Sequence, residues 1–165
     1  MSPQANHPRL VRMIETASRN VESIFNMVGF VAAMWHWHTA DGDQFVTLSP
    51  PGLNKDEAVA TVREALIAHE AVAVLFIDEA WTFLAKSEAE AVEWAIAERK
   101  PDDKRAHEIV HFVAEDDTGE LIGVREIIRP PNGKPHLGQL VLEEMQSPVG
   151  RFVGMLPRPR RATLQ

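Results

Sequence analysis

The sequence predicts a mixed α+β fold. We expect a mainly antiparallel sheet of about six to seven strands, with an N-terminal amphipathic helix and two further helices on one face. Three observations carry this expectation. An apolar stripe at helical spacing runs through the first thirty or so residues. Two Ser/Asn-x-x-Glu capping boxes open later helical stretches. The β-rich runs are separated by short Asp-Gly and Asn-Gly turn signals, the mark of hairpins.

The first helix is read from "LVRMIETASRNVESIFNMV". Leu10, Ile14, Ala17, Val21, Ile24 and Val28 alternate spacings of four and three, which places them on one stripe. Arg12, Glu15, Arg19 and Glu22 fall on other faces, and Gly29 is the expected stop. Such a helix either lies on its own domain's core or projects for self-association, with Leu10, Ile14, Val21, Ile24 and Val28 as the interaction residues. The seam is under three heptads long, which is short for a coiled coil.

A strand follows at Ala33–His38, then an "ADGD" turn and a returning strand, "QFVTLS", ended by "PPG". Asn54 and Glu57 form a capping box for a helix whose apolar face holds Ala58, Val59, Val62, Ala65, Leu66 and His69. "AVAVLFIDEAWTFLAK" is a nearly continuous apolar run and reads as a long, largely buried strand. Ser87 with Glu90 opens a short helix that Pro101 stops. From Ala106 onward the chain reads as all β, with turns at Asp117–Gly119 and Asn132–Gly133 and a last short strand at "RFVGML".

Bulk properties bound the rest. The chain has 165 residues, 45% of them apolar and 25% charged, which suits one domain with an ordinary core. We take residues 1–156 as that domain and 157–165 as a basic, mobile tail. No cysteine is present, so disulfides, thiol catalysis and Cys-based zinc sites are excluded. The N-terminus has no secretory pattern and no run is long enough to span a membrane, so a cytoplasmic protein is expected. Net charge is −7, but residues 145–165 hold no acid and four arginines, which leaves about −11 on residues 1–144. Such a body repels nucleic acid. Only the tail, through Arg158, Arg160 and Arg161, offers phosphates a partner, and it lacks the aromatics that stack bases.

Two stretches spell enzyme motifs. "HEIVH", His107 to His111, matches the H-E-x-x-H of zinc proteases. On a helix both imidazoles would reach one zinc, with Glu108 activating its water. On a strand His107 and His111 stand about 13 Å apart and cannot share one ion. The flanking hairpin grammar and the strand-forming Ile109, Val110, Phe112 and Val113 argue for the strand. A later ligand such as Glu126 is itself expected in a strand. "VLFIDEAW" has the look of an ATPase strand ending in Asp78 and Glu79, but no phosphate-cradling G-x-x-x-x-G-K-[ST] accompanies it.

"MWHWH" puts His36 and His38 on one face of a strand, about 7 Å apart, with Trp35 and Trp37 on the other. A metal would need a third ligand, and the best version borrows His107 or His111 from a neighbouring strand. No G-x-S-x-G occurs and there is no tyrosine. The expectation is therefore a non-enzymatic protein that self-associates or binds another protein, with no cofactor. The alternatives are a zinc-dependent hydrolase built on HEIVH and a weak nucleic-acid accessory protein working through its arginine tail.

Overall fold

The computed structural model describes residues 3–83, 89, 106–144 and 154–156. After a four-residue turn of helix, α1 (Pro3–Asn6), the chain enters α2 (Pro8–Val28). Then come β1 (Met34–Thr39), β2 (Gln44–Leu48), α3 (Lys55–Ala68) and the long β3 (Ala71–Phe83). β4 (Ala106–Asp116), β5 (Gly119–Ile128), β6 (His136–Leu137) and β7 (Val141–Glu144) complete it. The strands form one seven-stranded sheet in the order β2-β1-β3-β4-β5-β6, with β7 also on β5. Every pairing is antiparallel. The mixed fold and its antiparallel sheet are those the sequence predicts. The helix expected after Ser87 lies outside the described residues, as does most of the strand expected at "RFVGML".

The placement of the helices corrects one expectation. α2 and α3 take opposite faces of the sheet, not one. The reason lies in β3, whose side chains alternate between two apolar clusters. Ala73, Leu75 and Ile77 pack with Leu10, Ile14, Ala17, Val21 and Phe25 of α2, together with Val110, Phe112, Ala114 and Leu121. Val74 and Phe76 pack on the other side with Trp35, Trp37, and Val59, Val62 and Leu66 of α3. A strand apolar on both faces needs cover on both.

Local signals set the helix ends. Gly29 adopts φ 81, a left-handed conformation, and its N–H donates to the Phe25 carbonyl at 2.8 Å, closing α2. At α3 the Asn54 side chain accepts from the Asp56 and Glu57 N–H groups while Glu57 accepts from the Asn54 N–H, a complete capping box.

α2 is held to the sheet by two devices that the sequence analysis did not single out. Gly123 of β5 lies where the helix presses closest. A Cβ there would sit 2.8 Å from the Ile14 side chain. Arg125, two residues on, is buried beneath the helix. Its guanidinium donates to Glu22 Oε2 at 2.6 Å, Ser18 Oγ at 3.2 Å and the Gly138 carbonyl at 2.7 Å. It therefore joins α2, β5 and the segment after β6 through one charge.

Two stability predictions follow from this contact. Gly123→Ala is expected to lower unfolding free energy by about 1–3 kcal/mol, because backbone or helix must yield to the added methyl. Arg125→Met keeps the bulk but strips carbonyls and Ser18 of their donor, for a loss of about 1–3 kcal/mol. Glu22→Gln should cost less than Arg125→Met, since the Gln amide oxygen can still accept from the Arg125 guanidinium while Ser18 and the carbonyls keep their donor. Urea denaturation of the three variants checks both; a neutral Gly123→Ala would show that the helix is not seated this closely.

Candidate functional site

HEIVH lies within β4. The pleat sends His107 and His111 to the α3 side of the sheet and Glu108 to the α2 side, alongside Val110 and Phe112. Glu108 therefore cannot serve a metal held by those histidines. It is instead gripped by Arg129, whose Nε and Nη2 donate to its two oxygens at 2.7 and 2.6 Å. His107 Nδ1 is 3.0 Å from Glu126 Oε1.

The histidine pairs do not meet either. His36 stands opposite Leu75, so His36 and His38 belong to the α2 side. His107 and His111 are on the other. A metal site combining the two pairs, the best form of that alternative, is ruled out by the sheet lying between them. Among the described residues no group of three or more His, Asp or Glu side chains is placed to hold a metal ion.

Asp78 and Glu79 also part company. Glu79 faces the α2 side and accepts a 2.6 Å hydrogen bond from the Val31 N–H, fixing the connection between α2 and β1. Asp78 faces the α3 side, directly opposite His111 in the β3–β4 register. Burial raises the Asp78 carboxyl above its ordinary range, partly offset by Lys55, and burial lowers His111. Both shifts favour the uncharged forms. No hydrogen bond joins the two among the described residues.

The five residues read as an interaction stripe on α2 divide. Leu10, Ile14 and Val21 are buried in the chain's own core and are spent there. Ile24 and Val28 lie within the same arc of the helix but are exposed, together with Met27 and Phe30. Phe25 was missing from the stripe and is buried, because the helix buries an arc wider than a coiled-coil seam. The arginines of the tail, Arg158, Arg160 and Arg161, lie outside the described residues.

The open part of the sheet is on the α2 side, over β1 and β2. α2 packs over β3 to β6 and, among the described residues, nothing covers this side of the β1–β2 hairpin. His36 and His38 of β1 and Gln44 and Val46 of β2 share this face, since His36 pairs with Val46 and His38 with Gln44. Between them and α2 runs a groove of about 350 Å³, walled on the helix side by Arg9, Arg12, Thr16 and Asn20 and floored by Leu75. Burial, then the neighbouring His38, holds the His36 imidazole below its ordinary value; burial, then Arg9, does the same to His38. His36 Nε2 is buried without a hydrogen-bond partner among the described residues. On the other side of the hairpin the tryptophans are satisfied. Trp35 Nε1 donates to Ser49 Oγ at 3.2 Å, and Trp37 Nε1 donates to His69 Nδ1 at 3.1 Å.

Beyond the hairpin turn the chain's acidic side begins. Asp116, Asp117 and Glu120 wall a wider cleft of about 880 Å³ that also touches Leu156. Glu115 is buried beside it and accepts from the Met155 and Leu156 N–H groups at 2.8 and 3.3 Å. Burial raises its carboxyl, against the pull of those N–H bonds.

No protein-family model, curated protein or solved structure matches this chain. No helix among the described residues is long and apolar enough to cross a membrane.

The His111 environment gives a pH prediction. A histidine lowered by folding binds its proton more tightly in the unfolded chain, so stability falls as pH drops below about 6.5. The stability difference between wild type and His111→Gln should therefore shift against wild type between pH 7 and 5. Urea midpoints at half-unit pH steps measure it; a pH-independent difference would mean the imidazole is not desolvated.

Proposed function

We propose that the chain is a non-enzymatic binding protein that self-associates, and that its contact surface is the open edge of the sheet at β2. The observation that carries this reading is the pair Val46 and Leu48. Both are large, apolar and more than half exposed, at 64% and 60%, on a strand whose outer edge pairs with no other strand among the described residues. An edge strand offers unpaired N–H and C=O groups to another strand, and proteins commonly blunt such edges with lysine, proline or very short strands. The opposite edge is blunted in this way: β6 has two residues, and β7 has four and ends in Glu143 and Glu144. β2, "QFVTL", carries no charge and no proline.

A second copy of the chain fits this edge. Pairing β2 with itself antiparallel about a two-fold axis at Val46 sets valine against valine and Leu48 against Gln44. No like charges meet, which matters in a chain of net charge −7. The exposed Ile24, Met27, Val28 and Phe30 lie at the same end of the sheet as Leu48. Only the short connection through Val31 separates α2 from Met34, the residue that pairs with Leu48. They extend the apolar surface beyond the strand.

Light scattering across a concentration series tests the reading. Wild type is expected to approach the mass of two chains at micromolar concentration. Val46→Lys, which sets two lysines side by side, is expected to be monomeric with an unchanged melting temperature. A wild type that stays monomeric at millimolar concentration rejects self-association. A dimer that survives Val46→Lys but is lost in Ile24→Ser/Met27→Ser rejects the β2 edge.

A further inference from the structure

We infer that the groove between α2 and the β1–β2 hairpin binds a small oxyanion, a phosphate- or carboxylate-bearing molecule, held by Arg9, Arg12 and His38. The site borders the self-association surface proposed above, sharing Gln44 and Val46 with it, and is tested from the helix side through Arg12.

The first argument is composition. The chain carries 24 acidic residues against 17 lysines and arginines, so an average surface is acidic. Yet the side chains lining this groove are two arginines, two histidines, Thr16, Asn20 and Gln44 with an apolar floor, and none of them is acidic. All the polar ones can donate hydrogen bonds. The same composition argues against a metal, because two guanidinium groups repel a cation from the two imidazoles lining this groove.

The second argument is placement. Arg9 and Arg12 are three residues apart on α2 and so project to neighbouring positions on one side of the helix. Across from them stand His36 and His38, two apart on β1. Arg9 is partly committed, to Asp117 at 3.3 Å and Asp116 at 3.8 Å. Arg12 is exposed and pairs with no acid among the described residues. A guanidinium in this position offers a forked pair of donors to an oxyanion, stronger than neutral hydrogen bonds. The cavity, about 350 Å³, suits a ligand of metabolite size. Its Met13, Ala17, Val46 and Leu75 surfaces would take a short carbon body, with Asn20 and Gln44 fixing its neutral polar groups.

The third argument concerns the histidines. Within the groove the groups facing them are Arg9 and Arg12 from α2, the uncharged Gln44 and Val46 from β2, and Leu75 from β3. His38 also borders the neighbouring cleft of Glu115, Asp116, Asp117 and Glu120, whose Asp116 and Asp117 are engaged by Arg9. Burial first, then the adjacent imidazole for His36 and Arg9 for His38, favours the neutral imidazoles. A bound anion opposes this and draws protons onto them.

The test is a titration of the full-length chain followed through its histidine ring signals by NMR. The probes are glycerol 3-phosphate, succinate, and glycerol as the uncharged control. Saturable shifts of His36 and His38 are expected with at least one anion, at a dissociation constant of about 1 mM or below. Their pKa values should rise on binding, while His136, on the far edge of the sheet, stays unmoved. Preference for glycerol 3-phosphate would assign a phosphomonoester, and preference for succinate a carboxylate. Arg12→Gln, an exposed change that leaves the fold intact, should weaken binding about tenfold, and Arg12→Lys less. Shifts that never saturate, equal shifts at His136, an equal effect of glycerol, or unchanged affinity in Arg12→Gln would each overturn the site.

Discussion

β3 presents hydrophobic side chains to both sides of the sheet, and a strand of that kind cannot rest with either face in water. Leu75 and Ile77 on one side and Val74 and Phe76 on the other are all buried. From this constraint the layering follows. One helix must cover each side, and α2 and α3 differ in the cover they give. α2 is 21 residues long with a wide apolar arc, and it spreads over β3 to β6. α3 is shorter, 14 residues, and sits over β1 and β3, where two tryptophans supply the bulk that a small helix does not. Among the described residues, neither α2 nor α3 covers the α2 side of the hairpin edge, and the groove and the apolar strand edge both lie there.

The α2 side is also where the chain accepts a buried charge. Placing Arg125 under a helix costs solvation, and only a full set of acceptors makes it tolerable. Glu22, Ser18 and the carbonyls of Leu137 and Gly138 provide that set, from elements far apart in the chain. An apolar residue would leave Ser18 and the carbonyls without this donor and would not fix the helix's rotation. With Gly123 beside it allowing close approach, Arg125 sets the angle at which α2 meets the sheet. That angle in turn points Arg9 and Arg12 toward the hairpin.

The H-E-x-x-H spelling fails for a geometric reason. A pattern such as H-E-x-x-H has chemical meaning only through the 3.6-residue period that stacks its side chains. In β4 the period is two, so the glutamate and the histidines part to opposite sides of the sheet. Strand grammar around the motif was enough to expect this. The same period of two separates His36 and His38 from His107 and His111, which only the strand order could establish.

Periodicity, turn dipeptides and caps in the sequence by themselves determined the helices at Pro8–Val28 and Lys55–Ala68, the hairpins and the antiparallel sheet, because each depends on residues near one another in the chain. The apolar run of β3 also carried the sign that both faces need cover, although it was read only as burial. Tertiary structure alone decided the rest. It set which face each helix takes, which of α2's apolar residues remain for a partner, that Asp78 stands opposite His111, and that Arg125 reaches Glu22. It also left the hairpin open beside two arginines. Each of these depends on register and packing between segments tens of residues apart, and no local spacing encodes that.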